Sequence, residues 1–434
     1  MRTDLVHANA GELTYEIRNI VNVAEKLQAL GAKTNMENIG DPIAKGEKIP
    51  LWMKEIVAEL TMEDCNYGYC HTRGLLETRK FLADRTNMRG GAQIGPDDIL
   101  FFNGLGEAIA KIYGMLNSTA RILCPAPTYS THSSAEEAHA GAKPVSFKLG
   151  PRNNWYPDLD EMRNCVKYNP AIAGILIINP DNPTGAVYPP ESLKEIVSIA
   201  KEYDLFLICD EVYINIVYNG QKTVPICDVI GDVPAIAMRG ISKEFPWPGS
   251  RCGWIEVYNG HNDPNFERYV QFLLNAKMVE VCSTTLPQKA LPRLMSHEKY
   301  PEYLNERVSR YEKFSNIAYE RLKKVPGILV NRTNGAFYMS VAFEEGRMNS
   351  EQVLPINNED VRRLVENLVS APGVSLDKRF VYYLLGSTGI CVVPLTSFST
   401  DLQGFRVTLL ERDENEFRRI FDVLAGSIES YLNS

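Results

Sequence analysis

The sequence predicts an α/β fold: a large domain built on a mostly parallel seven-stranded sheet between helices, followed by a smaller α+β domain. Two observations lead there. From about residue 50 to 300, short runs rich in Ile, Leu and Val alternate with amphipathic segments, as parallel strands covered on both faces require. The alternation then gives way to a long charged amphipathic stretch, "EYLNERVSRYEKFSNIAYERLKKV" (302–325), and a few short apolar runs.

Each element has its own signal. "YEIRNIVNVAEKLQALG" (15–31) has apolar residues at helical spacing and closes on Gly31, a helix stop. "NIGDPIAKGEKIP" (38–50) is a loop by its Gly, Asp and Pro content. The strand candidates are "DDILFFNG" (97–104), "RILCPAP" (121–127), "KPVSFKL" (143–149), "GILIINP" (174–180), "LFLICDEVY" (205–213), "AIAMRGIS" (235–242) and "GWIEVY" (253–258). Helical stretches such as "EAIAKIYGMLN" and "PPESLKEIVSIAKEYD" lie between them, and "GAFYMSVAF", "GICVVPL" and "GFRVTLLE" supply the tail. Three parts follow: an N-terminal segment 1–49 that packs with the small domain and carries a loop, a large domain 50–310, and a small domain 311–434.

Composition narrows the function. The 434 residues are 44% hydrophobic and 23% charged, with a net charge of -8, which disfavours nucleic acid and anionic membrane as partners. Nine cysteines occur singly, without a C-x-x-C pair, as expected for reduced thiols in a cytoplasm. The start, "MRTDLVHANAGELTYEIRN", lacks the apolar core of a signal peptide. No apolar run approaches the roughly 18 residues of a membrane span. His132 and His139 stand seven apart where a metal site on a helix would want four, so no metal is expected.

In open parallel sheets, ligands bind beyond the carboxyl ends of the strands. The unusual residues fall at those ends. "FFNGLGEAIAKI" sets Gly104 and Gly106 between a strand and a helix, where backbone N–H groups and the helix dipole suit a phosphate. "CPAPTY" leaves Tyr129 after a strand, "INPDNPTG" leaves Asn182 in a rigid turn, and "CDEVY" presents Asp210 and Tyr213. "GISKEFPWPGSR" presents Lys243, with Arg251 eight residues on.

Singly, each has a plain explanation: a strand–helix turn, a cap, a packed ring, a surface cation. Jointly they match one cofactor. Pyridoxal phosphate needs a lysine amine, an acid for its ring nitrogen, anion donors, an aromatic face and donors to its ring oxygen. Lys243, Asp210, Gly104 with Arg251, Tyr129, and Asn182 with Tyr213 fill these in turn. A nicotinamide cofactor is served less well, because the glycine fingerprint is incomplete.

The chain resembles the class I/II aminotransferases of the fold-type I pyridoxal-phosphate family from roughly residue 15 to 430. Nine motifs in the family's order carry the likeness: "NIGDP", "Y-x-x-x-x-G-L-L-E-T-R" from Tyr69, "NGLGEAI", "PTY", "NPDNPTG", "CDEVY", "ISK-x-x-x-x-x-G-x-R-x-G", "NGAFY" and "GFRVTLL". "YEIRN…NIGDP" and "GICVVP" lean toward the alanine-transaminase-like branch.

The resemblance implies amino-group transfer between an L-amino acid and a 2-oxo acid by a lysine aldimine ping-pong mechanism. Lys243 would be the aldimine lysine and general base, Asp210 the partner of the ring nitrogen, Asn182 and Tyr213 the holders of the ring oxygen, and Tyr129 the stacking ring. Gly104, Leu105, Gly106 and Arg251 would bind phosphate, and Tyr69 would reach the phosphate of a neighbouring subunit in a homodimer. Arg406 would clamp the substrate carboxylate, assisted by Asn182 and the backbone of Gly40.

Three departures stand out. Gly240 occupies a position where the family often has a hydroxyl residue, "PWP" (246–248) replaces small aliphatic residues, and "PLTSFSTDLQ" differs from a glycine-rich loop. Two other functions compete: a C–S β-lyase using the same cofactor residues, and a non-enzymatic regulator, which the acidic charge and the short N-terminal segment disfavour.

Overall fold

Strands lined with Ile, Leu and Val on both sides leave no face for water, so they assemble only where helices cover them twice. The computed structural model describes residues 16–434. In chain order, β1 is the short strand Asn35–Met36, and β2 to β8 are Ile99–Asn103, Arg121–Ala126, Ser146–Lys148, Ile172–Ile178, Phe206–Asp210, Ala235–Gly240 and Cys252–Tyr258. The last seven form one sheet in the order β2-β8-β7-β6-β5-β3-β4. β8 runs antiparallel to both its neighbours, and every other pairing is parallel. The mostly parallel seven-stranded sheet expected from the sequence is the sheet observed.

The reversal of β8 positions the site. Its first residues, rather than its last, lie at the edge where β2 and β7 finish: Asn103 pairs with Cys252, and Gly240 with Gly253. β5 and β6 end at the same edge, with Ile178 opposite Asp210. The run read as a strand over 235–242 stops at Gly240, the last β7 residue paired with β8, and Ile241–Glu244 coils into one helical turn.

A second sheet contains β9 (Ile328–Val330), β10 (Tyr338–Phe343), β12 (Val393–Pro394) and β13 (Gly404–Thr408), antiparallel in the order β12-β13-β10-β9. Between them in sequence, β11 (Ile390–Cys391) pairs in parallel with β1, tying the N-terminal segment to this half. Period-2 alternation divides β13: Phe405 and Val407 enter an apolar core, while Arg406 takes the other face with its partner Ser340. Ser340 Oγ donates to the Pro183 carbonyl at 2.9 Å, so that face abuts the "NPDNPTG" turn.

The helix Glu16–Ala29 ends two residues before Gly31, whose φ of 86° lets the chain leave it. Ile20, Val23, Ala24 and Leu27, spaced i, i+3, i+4, i+7, are buried in one core with Phe314, Leu322 and Ile428. Ile20, Val23 and Leu27 each contribute about 1.5–3 kcal/mol relative to exposure. Tyr15 and most of the segment weighed as a signal peptide lie outside the described residues. Among the described residues, no helix is long and apolar enough to cross a membrane.

Candidate active site

Lys243 sits in the single turn after β7, and its Nζ donates to the Gly40 carbonyl at 2.8 Å. Gly40 lies hard against Tyr338: a Cβ built there would stand 1.8 Å from Tyr338 Oη. Only glycine lets the loop approach so closely. Beyond Lys243, Pro248–Ser250 makes a short 3-10 turn and Arg251 adopts φ 50°, which brings the chain back to the start of β8. Trp247 packs against the large apolar core, which anchors the Pro-Trp-Pro stretch.

Gly104, with φ 83°, ends β2 and begins the helix Leu105–Gly114, which no side chain caps. The first N–H groups of such a helix have no partner within it. Arg251 lies across Gly104: a Cβ there would meet Nη2 at 2.4 Å, while Nη2 donates to the Asn103 carbonyl at 3.2 Å. Leu105 packs on Gly253, and Gly106 faces open space. Gly240 is confined from behind, since an added Cβ would stand 3.2 Å from the Cys252 carbonyl. A hydroxyl side chain at this position would press on backbone.

Asp210 closes β6 and is buried. His132 Nε2 lies 3.2 Å from its Oδ2, and the Val212 N–H donates to Oδ1 at 3.1 Å. The other ring nitrogen of His132 lies 3.2 Å from Tyr113 Oη. Burial pushes the Tyr113 hydroxyl well above its usual range, so it stays protonated beside the ring. Tyr129 meets the same histidine edge-on at 6.3 Å between centroids.

Tyr213 is buried three residues past Asp210 and donates to Tyr338 Oη at 3.1 Å. Burial, then the neighbouring Tyr338, pushes its hydroxyl well above its usual range, so it stays protonated. Arg406 reaches across from the second sheet. Nη1 donates to Asn182 Oδ1 at 3.1 Å and Nη2 to the Asn38 carbonyl, and its plane lies between Tyr338 and Phe398, 4.4 and 5.0 Å from the ring centroids. Its buried Nε has no protein partner among the described residues. A guanidinium with part of its donor fork unused suits a carboxylate.

Lys243, Gly40, Tyr213, Arg406 and Asn182 are thus linked through Tyr338, and Asp210 and Tyr129 through His132, with Gly104, Leu105, Gly106 and Arg251 at the same sheet edge. Tyr69 stands apart, 87% exposed. The sequence considered His132 only for metal spacing. Its position three residues after Tyr129, on the same face of the following helix, was the available signal. Asn38, Tyr338 and Phe398 lie within "NIGDP", "NGAFY" and "PLTSFSTDLQ", and both polar ends of the Asn38 side chain are buried without partner among the described residues.

The donor set fits pyridoxal phosphate. An uncapped helix start with an arginine across its glycine suits a phosphate, and a buried, histidine-held carboxylate suits a protonated ring nitrogen.

A mixed seven-stranded sheet of this topology beside a smaller antiparallel sheet is the fold of solved aminotransferases. The chain belongs to the class I and II aminotransferase family, whose model matches residues 38–424. It is 57% identical to an uncharacterized aminotransferase of Methanocaldococcus jannaschii over 434 residues, the full length of both chains. It is 32% identical to the glutamate-pyruvate aminotransferase AlaA of Escherichia coli over 339 residues, 77% of this chain and 82% of that one. Among solved structures, an aminotransferase from Escherichia coli superposes with a TM-score of 0.85 at 26% identity, covering 100% of this chain and 99% of the other. An alanine aminotransferase from Pyrococcus furiosus superposes with a TM-score of 0.83 at 27% identity, covering 99% of each.

Proposed function

We propose that this aminotransferase depends on pyridoxal phosphate and exchanges amino groups between L-amino acids and 2-oxo acids, with alanine and pyruvate as a favoured pair. What supports the proposal is that the Lys243 amine and the buried Arg406 guanidinium meet through Gly40 and Tyr338, with the His132-held Asp210 at the end of the neighbouring strand β6. The alanine assignment is supported by what the Escherichia coli and Pyrococcus furiosus relatives are named for.

When bound, pyridoxal phosphate draws an electron pair from the substrate α-carbon and so eases removal of its proton. Lys243 would hold it through its amine, Gly104, Leu105, Gly106 and Arg251 would hold its phosphate, and Tyr129 would lie against its ring. Asn182 and the protonated Tyr213 hydroxyl would donate to the ring oxygen. Asp210, fixed in orientation by His132, would stabilise a protonated ring nitrogen. Arg406 would clamp the substrate carboxylate, with Asn182 and the Gly40 backbone setting its orientation. Lys243 Nζ, released when the substrate amine takes its place on the cofactor, would take the α-proton from the substrate.

Tyr69 would complete the phosphate site of a second copy, in a homodimer. The exposure of Tyr67, Tyr69, Met278 and Val279 supports that surface, since their two loops touch where Thr285 Oγ1 donates to the Gly68 carbonyl at 2.8 Å.

The test is a half-reaction screen: the loaded protein is mixed with single amino acids and the cofactor absorbance is followed. Alanine and glutamate are expected to react fastest, and Lys243→Ala to abolish the response. Amino-group exchange by Lys243→Ala at the wild-type rate would overturn the proposal. Release of pyruvate and ammonia from cystathionine without a 2-oxo acid would replace it with C–S lysis.

A further inference from the structure

Lys243 is held at both ends by the same loop. Its amine reaches the Gly40 carbonyl directly. Its own carbonyl accepts from Arg307 Nη1 at 2.9 Å, and Nη1 also donates to the Glu244 carbonyl. Arg307 Nε donates to Glu47 Oε1 at 2.6 Å, and Glu47 is the far end of the loop that begins at Gly40. Arg307 is only 2% exposed, and its Nη2 donates to Tyr311 Oη at 3.0 Å. The second oxygen of Glu47 accepts from Arg310 Nη2 at 2.9 Å.

The intervening chain is not slack. Asp41 Oδ1 accepts from the Ile43 and Ala44 N–H groups, Gly46 N–H donates to the Ile43 carbonyl and Glu47 N–H to the Pro42 carbonyl. The result is a closed ring: Lys243 amine, Gly40, a folded turn, Glu47, Arg307, Lys243 carbonyl.

We infer that Glu47 and Arg307 are positioning residues that register the Gly40 loop on the Lys243 main chain. The inference rests on the assignment of Lys243 as the working amine. When the amine leaves Gly40 to work, the loop stays fastened to the same residue through the guanidinium. Loop and lysine therefore keep their relative placement during proton transfer, when a displacement of about 1 Å can cost about a hundredfold in rate.

The test uses the full chain loaded with pyridoxal phosphate, in wild type, Glu47→Gln, Arg307→Lys and the double variant. Glu47→Gln keeps size and shape, so it carries the test if Arg307→Lys does not fold. Hydrogen exchange of residues 38–50 is measured with and without 2-methylalanine, which offers an amine and a carboxylate but no α-proton. Uptake of the cofactor is followed by absorbance, with Lys243→Ala as control, and kcat and KM are measured with alanine.

The expected result is normal uptake in the single variants, a loss of about tenfold in the protection that 2-methylalanine confers on residues 38–50, and a fall in kcat/KM of about tenfold or more. The double variant is expected to be no worse than the poorer single one, because the two residues act as one unit. Normal uptake with loop protection and kcat/KM within about twofold of wild type would overturn the coupling alone. Covalent attachment of the cofactor that persists in Lys243→Ala, read as the same bound absorbance as wild type, would overturn the assignment of the lysine, and the coupling with it.

Discussion

Asn182 and Arg406 belong to different sheets, yet Nη1 of the arginine donates to Oδ1 of the asparagine at 3.1 Å. Both are buried. The contact fixes the guanidinium plane where its remaining donors can serve a carboxylate. Arg406→Lys keeps the charge and loses the fork, and a lysine cannot bond Asn182, the Asn38 carbonyl and a carboxylate in one plane. The expected outcome is a loss on the order of a hundredfold in kcat/KM, largely in KM, measured by steady-state kinetics with alanine.

On the proposed assignment Asp210→Asn removes the charge that would face the ring nitrogen, and kcat is expected to fall by about 10² to 10³. His132 acts on that carboxylate from behind, through Nε2. His132→Phe is accordingly expected to cost about ten- to a hundredfold. A loss in His132→Phe as deep as in Asp210→Asn would contradict this order.

Asp181, next to Asn182, is buried, and its Oδ2 accepts from Thr184 N–H at 3.0 Å and from Thr184 Oγ1 at 2.5 Å. Burial raises its pKa to about 7 against these opposing bonds, and the charge of Asp210 adds to the rise. The folded state therefore keeps a proton that the unfolded chain has released above its usual carboxylate range. The unfolded state binds fewer protons between about pH 4 and about pH 7, so this group lowers stability as pH rises through that window and levels off above it. Asp181→Asn does not titrate. Its stability relative to wild type is expected to rise across the window by at most about 1.4 kcal/mol per pH unit, measured by urea denaturation.

Trp247 packs against the apolar core that contains Trp254 and Phe245. Trp247→Ala is expected to destabilise by about 2 kcal/mol and to leave the ranking of amino-acid donors unchanged. Thermal unfolding with the half-reaction screen checks both halves. A changed ranking would mean that the tryptophan also selects substrate.

The sequence disclosed what local chemistry controls. Strands β5 to β7 were readable because Ile-rich runs have few other ways to be buried, and Asp210 and Lys243 were readable because they punctuate the ends of those runs. His132 was not, because its meaning depends on a carboxylate 78 positions away, brought beside it by parallel strand pairing. Glu47 and Arg307 escaped for the same reason, being 260 positions apart. An acid in a Lys-rich loop and an arginine in a charged helix read as surface residues until the fold buries both.

The reversed strand β8 has a practical corollary. The residues between Lys243 and Arg251 leave the sheet from β7 and re-enter it at β8, two neighbours locked rung to rung through Gly240 and Gly253. The excursion therefore has a fixed footprint, like a handle bolted at both ends. Its length and composition can drift without altering the spacing of the amine and the guanidinium. An unusual insert such as Pro-Trp-Pro can thus arise in that stretch while the two functional ends stay in register.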